Sequence, residues 1–273
     1  MIWHEVADGI FQGRYEPWDV NVCVVRGTAG LLVVDTRASH RQADELRADL
    51  ARLGSPRWVV NTHAHFDHSF GNHRFGPASD LGLPIYGHVR VPAHLDRYER
   101  PLLDRWIASG EGPVDELREV IITAPTELVD EQLSLDLGDR LVELRHIGRG
   151  HTDNDLVLHA PDADTWLVGD LVEESGPPMY GSGCFPLEWG ATAHALVKAI
   201  DPAATVVPGH GRSVDRDFVA RQAGDLSSVA ELLREVHANG AAASDAVGAA
   251  AGRWPFPEDG LQPAVDAAYA ELG

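Results

Sequence analysis

The segment Thr62-His63-Ala64-His65-Phe66-Asp67-His68 packs four side chains of metal-binding type into six positions. Imidazole nitrogen and carboxylate oxygen are the donors that zinc and neighbouring first-row metals accept. The segment follows Arg57-Trp58-Val59-Val60-Asn61, which reads as a short buried strand. A loop leaving a strand lets His63 and His65 point one way and Asp67 and His68 another, so one loop can feed two metals. Three further donors stand beside glycine at expected strand ends, in Gly150-His151-Thr152, Gly169-Asp170-Leu171 and Pro208-Gly209-His210-Gly211. Glycine lets the backbone turn sharply and approach a crowded site. A lone histidine is usually packed or solvated, and His4, His40, His73, His88, His94, His146, His159, His194 and His237 are read that way. The seven donors together agree in type, order and glycine flanks, which points to metal binding. Three or four donors per ion, with positions left open, make seven enough for two ions.

The order H-x-H-x-D-H, G-H-T, G-D and P-G-H-G resembles the metallo-β-lactamase superfamily, over roughly residues 3–212. That resemblance implies an α/β fold, a four-layer αββα sandwich with its site at the sheet edges. It implies that His63, His65 and His151 hold a first metal, that Asp67, His68 and His210 hold a second, and that Asp170 bridges them. Two zinc ions are the expected cofactors, with manganese or iron as substitutes. Asp67 and Asp170 are then the catalytic carboxylates. Two such ions share a water and lower its pKa toward about 7, giving hydroxide that attacks an ester, lactone, thioester, amide or phosphoester. No G-x-S-x-G occurs to support a serine mechanism.

Asp35, closing the run Leu31-Leu32-Val33-Val34-Asp35, sits where the resemblance places an aspartate beneath the metals; it is equally an ordinary turn former. Thr62 and Thr152 are candidates to orient neighbouring donors, whereas Asp153 and Asp155 read as a solvated turn. Substrate walls are expected from residues 12–19, which hold Tyr15 and Trp18, and residues 175–189, which hold Met179, Tyr180, Cys184 and Phe185. The same aromatics would also serve simply to pin loops to the sandwich.

Broad-range β-lactamases of the resemblance carry cysteine where this chain has Asp170, and a lysine where it has Glu173. A carboxylate there repels a substrate carboxylate, which reduces β-lactam hydrolysis to weak or promiscuous activity. A mononuclear-iron persulfide dioxygenase, which uses two histidines and one aspartate of the same set, is an alternative enzyme. A non-catalytic metal-binding protein would be marked by a lost donor, and none is lost.

The elements that must carry these residues are legible in outline. Short strands are expected at 2–7, 10–13, 20–26 and 30–35, with a hairpin turn at 27–29. Ala43, Leu46, Leu50 and Leu53 recur at helical spacing after Ser39, and Gly54 and Pro56 stop that helix. Residues 91–120 read as two helices, or one helix and an insert. Strands return at 127–129, 133–135, 141–146, 156–159 and 166–168. A loop over 174–190 precedes a helix to Ile200, a strand at 205–207 and a long helix from Asp215 to about Asn239. One domain over residues 1–273 is expected, with a helical extension at about 241–273.

The chain has 273 residues, 44% of them hydrophobic, enough for a substantial core. Its formal net charge of −20 lacks the basic footprint that nucleic-acid binding requires, so the expected partner is a small-molecule substrate. Cys23 and Cys184 are too few for a disulfide framework, no apolar leader opens the chain, and no run is long enough to span a membrane. A cytoplasmic location is expected, and the sequence carries no signal of oligomeric state.

Overall fold

The chain opens with four antiparallel strands, β1 (His4–Ala7), β2 (Ile10–Tyr15), β3 (Val20–Gly27) and β4 (Gly30–Val34). This is a computed structural model that describes residues 3–110 and 112–273; Ile2, assigned by sequence to the first strand, lies outside them. Strands β3 and β4 are apolar at nearly every position because both faces are covered. Val22, Val24, Leu31 and Val33 face helix α1 (His40–Leu50), whereas Cys23, Val25, Leu32 and Val34 face a second sheet. Ser39 caps α1 by accepting from the Gln42 backbone N–H, and Ala43, Leu46 and Leu50 form its buried stripe. Each of the two leucines contributes roughly 1.5–3 kcal/mol by leaving water.

The first sheet continues through β5 (Pro56–Val60), β6 (Ile85–His88) and β7 (Glu127–Val129), each parallel to its predecessor. Strand β6 has no counterpart in the sequence reading, since Ile85-Tyr86-Gly87-His88 is short and lacks alternation. Helix α2 (Phe66–Ser69) follows β5. Between β6 and β7 run α3 (Val91–His94), a π-helical turn (Leu95–Glu99), α4 (Arg100–Ser109) and α5 (Val114–Leu117).

The second sheet holds β8 (Gln132–Asp136), β9 (Leu141–Arg145), β10 (Val157–Ala160), β11 (Thr165–Glu173) and β12 (Thr205–His210). Pairing of His210 with Val20 joins β12 to β3, so twelve strands form one continuous ladder folded into two layers. Outside the second layer pack α6 (Pro186–Ala199), α7 (Arg216–Ala238) and α9 (Gln262–Leu272), the last preceded by α8 (Ala246–Ala249). Trp166, Val168, Leu196, Leu226, Leu233 and Val265 fill that outer core. The architecture is α/β in four layers, helix on sheet on sheet on helix.

Helix α6 starts at Pro186, earlier than the sequence suggested, because Gly190 lies inside it at a close crossing with α7. A Cβ on Gly190 would approach the Ser227 backbone within 2.8 Å. Strand β11 likewise runs past Gly169 to Glu173, with register shifts on both sides of Gly169. Among the described residues no helix is long and apolar enough to cross a membrane.

Candidate metal centre

The seven donors leave four separate elements and meet at one end of the sandwich. The loop after β5 delivers His63 and His65, and α2 delivers Asp67 and His68. The loop between β9 and β10 delivers His151, the outer half of β11 delivers Asp170, and the last residue of β12 is His210. A Cβ on Gly209 would overlap Asp170 Oδ1, so only glycine lets β12 pass this carboxylate. Gly169, at φ 53°, occupies a backbone conformation that side chains resist.

His65 Nδ1 lies 3.2 Å from His63 Nε2 and 2.8 Å from His151 Nε2. His210 Nε2 lies 3.3 Å from His68 Nε2 and 3.3 Å from Asp67 Oδ2, and Asp67 Oδ2 is 3.6 Å from His68 Nε2. Ligand atoms about 2.0–2.1 Å from a tetrahedral ion stand about 3.3 Å apart, so both triads have the spacing of a zinc-type donor set. Asp170 Oδ2 lies 3.3 Å from His151 Nε2 and 3.4 Å from His210 Nε2, a position between the triads.

The outward nitrogens of four imidazoles have oxygen partners, which orients each ring with its other nitrogen facing inward. His68 Nδ1 donates to Asp35 Oδ2 at 2.8 Å, and His210 Nδ1 to the Trp18 carbonyl at 2.8 Å. His65 Nε2 donates to the Ser182 carbonyl at 3.0 Å. His63 Nδ1 donates to Thr62 Oγ1 at 3.0 Å, and that hydroxyl donates to Asp35 Oδ2 at 2.8 Å. Asp35 also accepts from the Thr62 backbone N–H, so one buried carboxylate braces both halves of the histidine loop. His151 Nδ1 is buried without a hydrogen-bond partner among the described residues.

The electrostatics favour positive charge at the same place. Burial alone would raise Asp170 and Asp67, yet facing imidazoles outweigh it, holding Asp170 well below the ordinary carboxylate range and Asp67 below it. Burial would lower His68 and His210, and the carboxylates, Asp170 foremost, hold both above the ordinary range instead. His63 is pushed well down by burial and by His68, and burial pushes His151 down to about 3, so both are neutral donors. Mixed nitrogen and oxygen donors, inward-facing ring nitrogens and a field that attracts cations suit divalent metal ions.

Above the donors opens a cleft of about 410 Å³. Trp18 and Met179 line it, 39% and 64% exposed. Three other expected wall residues do not. Tyr15 is buried, with its hydroxyl 3.1 Å from Asp49 Oδ2 and its ring under Arg37. Tyr180 is buried edge-on against Trp189, and Phe185 lies beneath the Arg149 guanidinium. Cys184 is buried as well. Asp155 is no solvated turn residue: it is buried, accepts from the Thr152 N–H at 2.9 Å and hydroxyl at 2.6 Å, and burial pushes it up to about 8.

Several cleft residues were not assigned as substrate walls from the sequence. Phe66, Leu102, Glu173 and Glu99 line the cleft, the last placed there by the π-helical turn. Glu99 Oε1 accepts from Ser182 Oγ at 2.8 Å, tying the turn to the loop that holds His65. Burial, reinforced by Asp170, raises Glu173 well above the ordinary carboxyl range. Beneath the loop, Asn61 Nδ2 donates to the His68 carbonyl at 3.1 Å and to Asn72 Oδ1 at 3.0 Å, a support the sequence reading did not identify.

Known proteins resemble this chain. The chain is 27% identical over 253 residues to the human protein named acyl-coenzyme A thioesterase MBLAC2, covering 85% of this chain and 88% of that one. It is 25% identical over 222 residues to a metallo-beta-lactamase type 2 of Bacillus sp. (strain 170), covering 80% and 76%. The crystal structure of DIM-1 metallo-beta-lactamase superposes with a TM-score of 0.64 at 19% identity, over 84% of this chain and 96% of that one, which shows the shared fold. Residues 15–210, which include all seven donors, match the family described as the metallo-beta-lactamase superfamily, and the chain belongs to it.

Proposed function

We propose that this metallo-hydrolase uses two divalent ions, zinc foremost with manganese or iron as substitutes, to cleave the thioester of an apolar carboxylic acid. The observation that carries the two-ion reading is Asp170 Oδ2 standing 3.3 Å from His151 Nε2 and 3.4 Å from His210 Nε2, one oxygen between two donor triads. When bound, such ions polarise an acyl oxygen and lower the pKa of water toward about 7. His63, His65 and His151 would hold one ion, Asp67, His68 and His210 the other, and Asp170 both. Asp35 and Thr62 keep the donors oriented, and Trp18, Phe66, Leu102 and Met179 form apolar walls that exclude bulk water. In the net reaction water oxygen bonds to the acyl carbon, the carbon–sulfur bond breaks, and the thiolate leaves and takes a proton.

Thioester ranks first on two grounds. Among the described residues no arginine or lysine lines the cleft to hold a phosphate or a carboxylate. That lining disfavours a phosphoester or a carboxylate-bearing β-lactam at the reacting centre. The human relative's name supplies the second ground. Convergence of all seven donors favours this reaction over a mononuclear-iron persulfide dioxygenase. The net charge of −20 supports a small-molecule substrate rather than nucleic acid, and two buried free cysteines suit a cytoplasmic setting.

The test is a hydrolysis screen of thioester, oxyester, lactone, amide, phosphodiester and cephalosporin, with zinc, manganese and iron loaded separately. The highest kcat/KM is expected for a thioester. A phosphodiester or cephalosporin turned over faster would contradict the assignment.

A further inference from the structure

Beside the cleft lies a second cavity, of about 100 Å³, and Trp18 and Phe66 are walls of both. Ala38, Trp106, Pro113 and Leu117 line the remainder with apolar surface. Trp18 meets Phe66 edge to face at 5.1 Å, and Phe66 meets Trp106 in the same way at 4.9 Å, so one aromatic ladder runs from cleft to slot. Phe66 stands in the chain between the donors His65 and Asp67, which places the slot one residue from the metal centre.

Ser39 and Glu116, two polar residues of the slot, are already engaged with each other. Ser39 Oγ donates to Glu116 while accepting from the Gln42 N–H at 3.2 Å, and Arg41 lies 3.9 Å from the other Glu116 oxygen. A ligand there meets mostly hydrocarbon, from Trp18, Ala38, Phe66, Trp106, Pro113 and Leu117, which is the recognition chemistry of an alkyl or aryl group.

We propose that cleft and slot are one bipartite substrate site, in which the slot takes the apolar acyl tail while the acyl carbon lies over the seven donors. This rests on the acyl-hydrolase function above and adds the residues that set chain-length preference. Ala38 and Trp106 are the discriminating positions: Ala38→Leu fills the slot and Trp106→Ala enlarges it.

The test measures binding of primary alcohols of two to ten carbons to the metal-loaded protein by calorimetry, alongside kcat/KM for acyl thioesters and oxyesters of matching length. Affinity should tighten about fourfold per methylene until the slot is full. In Ala38→Leu the tightening should stop at shorter chains, and the octanoyl-to-acetyl ratio of kcat/KM should fall at least tenfold. In Trp106→Ala the tightening should extend to longer chains. Variants that bind metal as wild type does, yet keep its chain-length dependence in both measurements, would overturn the proposal. Chain-length-dependent alcohol binding without turnover of any acyl compound would overturn the hydrolase function, and the assignment of the slot to an acyl tail with it.

Discussion

Asp35 Oδ2 lies 2.8 Å from His68 Nδ1, on the side of the ring turned away from His210. The carboxylate thereby holds Nδ1–H and aims Nε2 at the other two donors of its triad, Asp67 and His210. Asp35→Ala should weaken binding of the second ion by about 10–100-fold. Competition against a chromophoric chelator measures this, and an unchanged affinity would show that the ring is held by other contacts.

Glu99 acts one step further out. It holds Ser182 Oγ, and the Ser182 carbonyl accepts from His65 Nε2. Glu99→Ala should therefore weaken the ion held by His63, His65 and His151 by up to about 10-fold, at the low end for an outer partner. Glu99→Gln should recover most of that affinity, since an amide oxygen still accepts the serine proton. Equal affinities in the two variants would contradict the positioning role.

How much of this was legible in the sequence depended on local signals. The seven donors stood out because each leaves a strand end beside glycine or in one dense loop, and α1 and α7 were framed by their caps, Ser39 and Asp215. Strand β6 carried no such mark, because its pairing between β5 and β7 is a property of the sheet rather than of its four residues. Glu99 looked like one of many charged helix residues; the π-helical turn that buries it is not written in periodicity. Tyr15, Tyr180 and Phe185 were assigned to the cleft by loop membership, and aromatic rings within one loop point in different directions. Gly190 looked like a loop boundary when its small size serves a helix crossing.

The stability of the fold should depend on His88, whose ring centroid lies 4.3 Å from that of His146. Burial first, then His146 and Arg90, push His88 down from 6.5 to about 4. Between those values the unfolded chain binds a proton that the folded chain refuses, so stability rises with pH across the window. The contribution is present in full above pH 6.5 and is lost as pH falls toward 4. His88→Gln should flatten this acid limb by on the order of 1–2 kcal/mol, a value discounted from the full shift for solvent screening. Urea midpoints of both proteins at pH 4.5 and pH 7 check it, and parallel acid limbs would contradict it.

The proposed two-ion centre is tested most directly by counting metal per chain. Elemental analysis of protein equilibrated with zinc and freed of excess should give two ions per wild-type chain and one in His210→Ala, which retains the triad of His63, His65 and His151. Asp170→Ala should lower kcat by roughly a thousandfold or more, about 4 kcal/mol of barrier, with its thermal midpoint nearly unchanged once metal is removed from both proteins. A wild-type chain that saturates at one ion, or turnover that survives exhaustive chelation, would contradict the account.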